Sequence, residues 1–562
     1  MEFKGTEWSC SGGIFISRGV KIMTSNFKVE FLDKYLGSLA GAIIGDALGW
    51  PQEDRGKKVG KHAYPQAQFQ KWTKKSGFGN LTYYEEITPG SYSDDSQLLF
   101  ATARSLQHAN WFSHFVRVEL PTWLVYERGG GGATKRSANL WSNGKPPWKF
   151  DSQKKSDIEK YFKAGGNGVT MRILPHVFNC PSNENLDELS QQVLLNGIAT
   201  HGHPRALLSA ILYAWALQYQ VNKEDTLGYG ELVAYLLEEK KHWMKFPSLN
   251  NLDDWKEAAD LFTNGNYMDI WEETGKELVD GLMIIKEALD RGLMDKTDYT
   301  LTKLNCFNPK IRGAGTVASL ISIYIASKYA SDPVTGLLEV SFLKNSDADT
   351  NASMVGGLLG TIHGTEWIIP DWYLVQDYEY MRNIVNTLST KKVDLTPKLW
   401  NWTEKNKFKD TLDIIKIGDE RVLSAFGNIK LIDKIKHKPM SVNINPITYQ
   451  FLSDQGQTIY INITKKNESI YIPPVNKHSV NLNRKISLEL NEIEKLIAIM
   501  PSRVTTKKTL AIISEILKGI DRIDINNRKE IENFANQFVQ KGYEMNLIME
   551  LISLIVKSNK IN

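Results

Sequence analysis

The chain has 562 residues, of which 42% are hydrophobic and 23% are charged. Those fractions are ordinary for a folded globular protein, and they exclude a disordered, collagen-like or disulfide-stapled chain. The formal net charge of +4 is too small to indicate a nucleic acid or a membrane as partner by itself.

The composition changes near residue 400, and this change predicts a domain boundary. All fifteen tryptophans lie at or before Trp402, and residues 401–562 carry 25 Lys and Arg against 18 Asp and Glu, a net charge of +7. We therefore expect an N-terminal extension at residues 1–27, a main domain at 28–398 and an accessory domain at 399–562.

The cysteines and the apolar segments favour a cytoplasmic protein. Cys10, Cys180 and Cys306 lie far apart and form no CxxC motif, which argues against a zinc site or a disulfide framework. The first 27 residues contain no apolar run behind a basic start, so no signal peptide is predicted. The apolar stretch Tyr35–Trp50 contains Asp46 and is shorter than the roughly 20 residues that a membrane-spanning helix needs.

The first predicted element is a helix whose glycines form a stripe. Leu36, Leu39, Ile43 and Ala47 follow a helical period. On the same segment glycine recurs at every fourth position, namely at Gly37, Gly41, Gly45 and Gly49. Each glycine costs a helix about 1 kcal/mol. We therefore expect that tight helix packing or a ligand requires the space.

Further apolar runs at helical spacing follow Asp95, His203, Gly315 and Thr350, while alternating patterns are scarce before residue 425. This predicts an all-α main domain. Beyond it, alternating segments predict strands at 428–432, 441–445 and 458–463, and helical spacing returns at 510–520 and 547–555. The C-terminal part is therefore expected to be a small α+β domain.

Two acidic clusters carry the strongest chemical signal, and Asp95 and Asp347 are 252 residues apart. Residues 92–97 read Tyr-Ser-Asp-Asp-Ser-Gln, and residues 345–350 read Asn-Ser-Asp-Ala-Asp-Thr. Asp and Ser are good N-caps, so each cluster is explained by a helix start. Alternatively, four carboxylates with neighbouring hydroxyls could hold two hard cations, because Mg²⁺ and Mn²⁺ prefer oxygen ligands. The spacing leaves both interpretations open.

Three glycine-rich loops, at residues 128–134, 165–172 and 312–316, could present backbone amides to phosphates. None follows a predicted strand or has the Walker spacing, which argues against Rossmann and P-loop sites. Together with a metal site, these loops suggest a nucleotide diphosphate. Thr200-His201 and the lone carboxylate Glu53 are further candidates, although a polar helix entry and a solvated helix-end charge are the simpler explanations.

Taken in order, these motifs resemble the ADP-ribosylglycohydrolase family. The resemblance covers residues 30–375 and includes Gly37–Gly49 with Glu53, Ser93–Ser96, Gly166–Arg172 and Asp347–Thr350 followed by several glycines. It implies an all-α catalytic domain with two Mg²⁺ ions, Mn²⁺ being possible. The implied reaction is hydrolysis of the bond between ADP-ribose and an acceptor, with water activated at the metal centre.

The resemblance also implies roles for individual residues. The implied metal ligands are Ser93, Asp94, Asp95, Asp347, Asp349 and Thr350. The implied catalytic residues are Glu53, Asp95 and Asp347. The implied substrate-binding residues are Gly131, Asn167, Gly168, Met171, Arg172 and His201. Ser93, Ser346 and Gly130 depart from the residues usual in the family, Thr, Gly and Tyr, and these departures bear mainly on the acceptor.

The leading hypothesis is a metal-dependent hydrolase that removes ADP-ribose from a mono-ADP-ribosylated protein side chain, with arginine as the first choice of acceptor. Such an enzyme could regulate a target protein or give immunity to an ADP-ribosylating toxin. The alternatives are a hydrolase of an ADP-ribosylated nucleic acid or small metabolite, and a catalytically silent ADP-ribose-binding module. The accessory domain would select the modified partner or mediate oligomerisation.

Overall fold

The computed structural model describes residues 25–466 and 506–559, apart from residues 54–64, 78, 150–153, 181–185, 224, 226, 249–251, 388–391, 394–395, 441–443, 521–526, 542 and 544. Most of the predicted N-terminal extension therefore lies outside the described residues. The chain forms two compact units, residues 1–469 and residues 470–562. Each unit is described by itself below.

The first unit is mainly helical, as the apolar spacing predicts. Its described α-helices are α1 (Ser25–Gly49), α2 (Asp94–Ser105), α3 (Trp111–His114), α4 (Leu120–Tyr126), α5 (Gly132–Trp141), α6 (Lys155–Phe162), α7 (Leu174–Asn179), α8 (Leu186–Ile198), α9 (Pro204–Val221), α10 (Glu231–Glu238), α11 (Lys240–Trp243), α12 (Asp253–Phe262), α13 (Tyr267–Asp290), α14 (Thr297–Lys303), α15 (Gly315–Lys328), α16 (Pro333–Ser341), α17 (Ala348–His363), α18 (Tyr378–Thr387) and α19 (Trp402–Thr411).

Helices α1 and α17 pack against each other at backbone distance, and the glycine stripe makes this possible. A Cβ atom at Gly41 would overlap the carbonyl oxygen of Gly356, and one at Gly45 would overlap that of Ala352. In return, a Cβ atom at Gly360 would overlap the carbonyl oxygen of Gly37. The stripe is therefore explained by close helix packing, and the two helices carry Asp46 and the second acidic cluster into the centre of the unit.

The first unit also contains two antiparallel sheets, with strand orders β1-β2-β5 and β3-β4-β6-β7. Their strands are β1 (Trp72–Ser76), β2 (Tyr83–Ile87), β3 (Glu420–Leu423), β4 (Gly427–Lys436), β5 (Lys438–Pro439), β6 (Ile444–Ser453) and β7 (Thr458–Lys466). The strands expected near residues 428 and 458 are confirmed as β4 and β7. The strand expected at 441–445 begins at Ile444, and residues 441–443 lie outside the described residues.

The β1-β2 hairpin was not predicted, because alternating patterns are scarce in the sequence before residue 425. In β2, the side chains of Tyr83, Glu85 and Ile87 are buried and alternate with exposed ones. The strand is only five residues long, and its central buried residue is a carboxylate. An alternating hydrophobic pattern is therefore too short and too polar to predict this strand.

The four-stranded sheet shares its hydrophobic core with the helices of the first unit. Ile429, Leu431, Phe451 and Ile461 are fully buried and belong to the same core as α1 and α17. The predicted boundary at residue 399 stays a prediction, but residues 420–466 pack onto the helical body. This packing places β7 next to one of the glycine-rich loops.

In the second unit, the described residues form three helices, Thr506–Ile520, Arg528–Val539 and Met545–Asn559. They enclose a separate core that includes Ile516, Phe538 and Leu551. The helical spacing predicted for this region is confirmed. Among the described residues of the whole chain, no helix combines the length and the apolar character needed to cross a bilayer.

Candidate active site

Both acidic clusters and all three glycine-rich loops line one cavity of about 310 Å³ in the first unit. The carboxylates come from the segment after α1 and from the starts of α2 and α17. The lining residues are Glu53, Asp94, Asp95, Gly129, Gly131, Gly132, Ala133, Thr134, Gly166, Asn167, Gly168, Met171, His201, Gly313, Asp347, Asp349 and Thr350. Most of the residues that the sequence singled out therefore meet at this cavity.

The first acidic cluster is fixed by the start of α2 and by a carboxylate from α1. The Ser93 hydroxyl accepts a hydrogen bond from the backbone N–H of Asp95 at 3.2 Å, so Ser93 is the N-cap of α2. The backbone N–H of Ser93 donates to both carboxylate oxygens of Asp46, at 3.1 and 3.0 Å. The Ser96 hydroxyl donates to Asp46 at 2.6 Å. Asp46 thus ties α2 to α1.

Ser93 is buried behind the cavity lining, and its implied role as a metal ligand stays a prediction. Asp46 has no implied role, yet its side chain is fully buried and its charge acts on the site. A single aspartate inside the apolar segment 35–50 was the sequence signal for it. A buried carboxylate in such a segment indicates a hydrogen-bonded structural role or a functional one.

The second cluster meets the first in space. Carboxylate oxygens of Glu53, Asp347 and Asp349 lie within 4.8 Å of one another. Asp95 at the start of α2 and Thr350 in the first turn of α17 line the same cavity. Two helix starts that are far apart in sequence thus form one acidic centre.

Burial and mutual repulsion raise the pKa values of this centre. Burial raises the pKa of Asp95 well above its usual range, and the charges of Asp46 and Asp94 raise it further. The pKa of Asp349 is also raised well above its usual range, first by burial and then by Glu53 and Asp95. Among the described residues, Asp95 Oδ2 is buried without a hydrogen-bond partner. A divalent cation fits such a set of converging oxygen atoms, because it would offset their repulsion.

The second and third glycine-rich loops are joined by backbone hydrogen bonds. The N–H of Asn167 donates to the carbonyl of Gly313 at 3.0 Å, and the N–H of Gly315 donates to that of Gly165 at 3.0 Å. A Cβ atom at Gly313 would lie 3.0 Å from Asp347 Oδ2, so this position favours glycine. The Asn167 amide donates to the same Asp347 oxygen at 3.0 Å. The paired loops thus approach the second acidic cluster.

Arg172 lies behind the loop at 165–168 and does not line the cavity. Its guanidinium is fully buried and donates to the carbonyl of Gly168 at 2.7 Å and to Asn196 Oδ1 at 2.8 Å. Burial lowers its pKa to about 9. Arg172 therefore supports the loop that carries Asn167 and Gly168, and its implied role in substrate binding stays a prediction.

His201 lines the cavity in its neutral form. Its Nδ1 pairs with the Thr200 hydroxyl at 2.8 Å. Burial lowers its pKa to about 3, and the charges of Arg172 and Arg136 lower it further. A neutral imidazole can donate at one ring nitrogen and accept at the other. His201 can therefore orient a polar ligand without adding charge.

Residues 127–132, which overlap the first glycine-rich loop at 128–134, form the remaining wall, and we call this segment the glycine loop. Gly129 has a φ of +116°, a conformation that favours glycine. A Cβ atom at Gly130 would overlap the ring of Trp123. The Glu127 carboxylate accepts hydrogen bonds from the N–H groups of Gly129 and Gly130 at 3.2 and 3.0 Å. The indole of Trp123 thus occupies the space beside Gly130, the position at which the resemblance implies a tyrosine.

Lys74 also lies close to this wall, and no motif in the sequence singles it out. It comes from β1, and its Nζ lies 4.9 Å from the ring centroid of Trp50 and 3.9 Å from the Cβ position of Gly129. Burial lowers its pKa. Because β1 itself was not predicted, no sequence pattern placed this cation beside the acidic clusters.

The comparison with known families decides the identity of this fold. The family model of ADP-ribosylglycohydrolase matches residues 28–397. The chain belongs to the ADP-ribosylglycohydrolase family. One solved structure, an ADP-ribosylglycohydrolase-related protein complex, aligns over its whole length with 65% of this chain, at 18% identity and a TM-score of 0.37. Because that likeness is weak, the family model carries the assignment.

Membership in the ADP-ribosylglycohydrolase family makes the chain a hydrolase that acts on ADP-ribose linkages. The family is typically metal-dependent, and the cluster of Glu53, Asp347 and Asp349 could bind a metal ion. The family match ends at residue 397, before the four-stranded sheet begins at Glu420. The sheet therefore lies beyond the matched region, although it shares the core of the first unit.

Proposed function

We propose that this protein removes ADP-ribose from a mono-ADP-ribosylated protein side chain, with arginine as the first choice of acceptor. The observation that carries the proposal is the meeting of five carboxylates, from Glu53, Asp94, Asp95, Asp347 and Asp349, at a cavity that glycine-rich loops also line. One end of this cavity carries the carboxylates that would bind a metal, and the other end is lined by backbone. These two ends suit the two ends of a substrate that contains a diphosphate.

The acidic centre is proposed to hold two Mg²⁺ or Mn²⁺ ions. The proposed ligands are Ser93, Asp94, Asp95, Asp347, Asp349 and Thr350. The raised pKa values of Asp95 and Asp349 and the unpaired Asp95 Oδ2 support this assignment. Such ions, when bound, supply Lewis-acid polarisation and lower the pKa of coordinated water.

The remaining residues are proposed to bind and orient the substrate. The start of α5 and the loop at 165–168 would hold the pyrophosphate through backbone N–H groups other than those of Gly129, Gly130 and Asn167, which already have acceptors in the protein. The carboxylate of Glu53, Asp95 or Asp347 would accept the proton of the attacking water or protonate the leaving group. The hydrogen bond from Asn167 fixes one oxygen of Asp347, which leaves the other oxygen to the cavity. Met171 and His201 would contact the ADP-ribose.

The accessory domain predicted at 399–562 is proposed to contribute to the recognition of the modified target or to oligomerisation. A regulatory role or an immunity function against an ADP-ribosylating toxin is consistent with such an activity.

The experiment that tests the proposal measures the release of free ADP-ribose from an arginine-ADP-ribosylated protein. The full-length protein is assayed with Mg²⁺ and with EDTA, and Asp347→Ala is assayed beside it. We expect release that requires the metal and that falls by at least about 100-fold in Asp347→Ala, since the variant loses a carboxylate of the reacting centre. Asp253→Ala, which removes an exposed carboxylate on α12, is the matched control and should retain full activity.

The possible failures of this assay have different meanings. No release from arginine, but release from a serine-linked, nucleic-acid-linked or small-molecule substrate, would correct the acceptor. Tight binding of ADP-ribose without any release would favour the silent binding module. Release that EDTA leaves unchanged would overturn the metal assignment.

A further inference from the structure

One strand of the C-terminal sheet contacts the glycine loop of the candidate site. The ring of Tyr460 on β7 lies against the guanidinium of Arg128, 4.3 Å from its central carbon to the ring centroid. Arg128 immediately precedes Gly129, which lines the cavity. The contact therefore joins a sheet outside the family match to the wall of the candidate site.

Buried contacts fix Arg128 from three further directions. Its Nη2 pairs with Glu85 Oε1 at 3.0 Å, and the ring of Trp50 lies 5.2 Å from its guanidinium carbon. Its backbone N–H donates to Gln97 Oε1 at 3.2 Å, and Gln97 lies on α2 just after Asp95. The side chain is only 4% exposed. Arg128 therefore acts as the anchor of the glycine loop.

The anchor depends on aromatic rings because its hydrogen bonds are incomplete. Within the described part of the chain, Nε and Nη1 of Arg128 are buried without a hydrogen-bond partner. A buried guanidinium that lacks partners gains most from contact with the face of an aromatic ring. The same sheet also reaches the counterion, because Asn462 Nδ2 lies 3.4 Å from Glu85 Oε2. Strand β7 thus supports both members of the ion pair.

Contacts other than those of Arg128 also hold the glycine loop, including the pair of Lys135 with Glu127 and the ring of Trp123 beside Gly130. Gly129 and Gly131 carry no side chains, and the open space around the Cβ position of Gly131 shows that nothing packs on it from that side. Glu127 holds the two following N–H groups, but its own carboxylate is partly exposed. Arg128 adds a buried side-chain support that ties the loop to Glu85 and Gln97.

We infer that Tyr460 is a positioning residue for the candidate active site, holding Arg128 and through it the glycine loop. The inference rests on the proposed function only in taking the cavity as the ADP-ribose site. It gives the four-stranded sheet a role in holding one wall of the substrate cavity, in addition to any role in target recognition. Tyr460 itself touches no reacting group in this arrangement.

The same sheet offers a matched control. The ring of Tyr449 on β6 lies 5.5 Å from Lys434 Nζ on β4. Tyr449 and Lys434 are cross-strand neighbours within the sheet, and neither residue lines the cavity. Tyr449→Leu therefore makes the same chemical change as Tyr460→Leu and removes a cation–π contact that lies within the sheet.

Hydrogen–deuterium exchange on the full-length protein tests the inference without any ligand. In Tyr460→Leu we expect the amides of residues 128–130 to exchange about tenfold faster, since their protection depends on local order. Tyr460→Phe keeps the ring and should retain the wild-type rate. Tyr449→Leu should lower the Tm but leave this peptide unchanged. Wild-type exchange in Tyr460→Leu, or equal acceleration in Tyr449→Leu, would overturn the inference.

Titration with ADP-ribose in the presence of Mg²⁺ supplies the functional readout. Tyr460→Leu is expected to raise the Kd about threefold to thirtyfold, the range of a cation–π contact, while Tyr449→Leu leaves it unchanged. An unchanged Kd in Tyr460→Leu would count against the inference. If the wild-type protein binds no ADP-ribose and releases none from modified substrates, the proposed function fails, and the exchange experiment still decides the role of Tyr460.

Discussion

The two walls of the candidate cavity are held in different ways. The carboxylate wall, formed by Glu53, Asp94, Asp95, Asp347 and Asp349, projects from the segment after α1 and from the starts of α2 and α17. Helices α1 and α17 touch backbone to backbone along the glycine stripe. The loop wall, formed by the glycine loop, residues 165–168 and Gly313, is instead held by the buried side chains of Arg128 and Arg172.

This difference teaches which parts of the site can vary. Backbone contact leaves no room for an additional atom, because protein interiors are already packed as densely as organic crystals. Side-chain supports can be exchanged for others that make similar hydrogen bonds or ring contacts. We therefore expect substitutions behind the carboxylate wall to unfold the protein, and substitutions in or behind the loop wall to have graded effects.

The largest expected effect comes from Gly45→Ala on α1. Its new methyl group would overlap the carbonyl oxygen of Ala352, and neither backbone can move aside without separating α1 from α17. We expect a loss of about 3 kcal/mol or more in the free energy of unfolding, at the upper end for overpacking. Chemical denaturation monitored by circular dichroism measures it. A wild-type midpoint would show that the two helices can separate at little cost.

The second prediction concerns the charge of the carboxylate wall. Mg²⁺ at about 100 times its Kd should stabilise the folded wild-type protein by about 2.7 kcal/mol, seen as a rise in Tm, and Asp349→Asn should lose this rise. In EDTA the same variant should melt above wild type. The raised pKa of Asp349 means that ionisation at pH 7 destabilises the fold, and a neutral amide removes that destabilisation. Equal metal-induced shifts in both proteins would contradict the assignment of this ligand.

The third prediction concerns pH and the support of the loop wall. The Asn196 amide donates to His176 Nε2 at 3.1 Å, and Asn196 also accepts from Arg172, which holds Gly168. Burial, then the charges of Arg172 and Lys392, lower the pKa of His176 to about 3. The unfolded chain binds this proton below about pH 6.5 while the folded protein does not, so the stabilising contribution of neutral His176 is lost as the pH falls.

His176→Gln tests this sign. As the pH falls from about 6 to about 4.5, the free energy of unfolding of the variant should rise relative to that of wild type by about 1.4 kcal/mol per pH unit, because a glutamine does not titrate. Denaturation curves at several pH values for both proteins measure the difference. A constant gap between the two proteins across this range would refute the prediction.

The smallest effect is expected for Gly131→Ala in the loop wall. Gly131 has an ordinary φ of −65°, and nothing lies within 4 Å of its Cβ position. The free energy of unfolding should change by less than about 1 kcal/mol, with a gain as the expected direction, because alanine reduces the freedom of the unfolded chain. Paired with Gly45→Ala, this substitution compares the two walls with the same chemical change.

Much of the main domain could be predicted from the sequence. The helices α2, α9, α15 and α17 follow the positions where apolar runs begin, because helical periodicity is a local property. The glycine-rich loops and both acidic clusters were also visible, and the family match at 28–397 bears out the resemblance. The β1-β2 hairpin was missed, since five residues with a buried carboxylate at the centre give no hydrophobic alternation.

The supporting residues of the site could not be predicted in the same way. Asp46 and Lys74 gain their importance from groups that are distant in sequence, namely Ser93 and Ser96 for the first and Trp50 for the second. The contact of Tyr460 with Arg128 joins residues more than 300 positions apart. No local pattern encodes such pairs.

The sequence by itself determined the helices, the two acidic helix starts and the glycine-rich loops. Helical periodicity, helix capping and the backbone freedom of glycine are all fixed by residues that are neighbours in sequence. Only the tertiary structure decided that the two acidic clusters share one cavity and that the C-terminal sheet supports its wall. The physical reason is that charge repulsion, burial and ring contacts depend on distances through space, and those distances are set only when α1 and α17 close on each other.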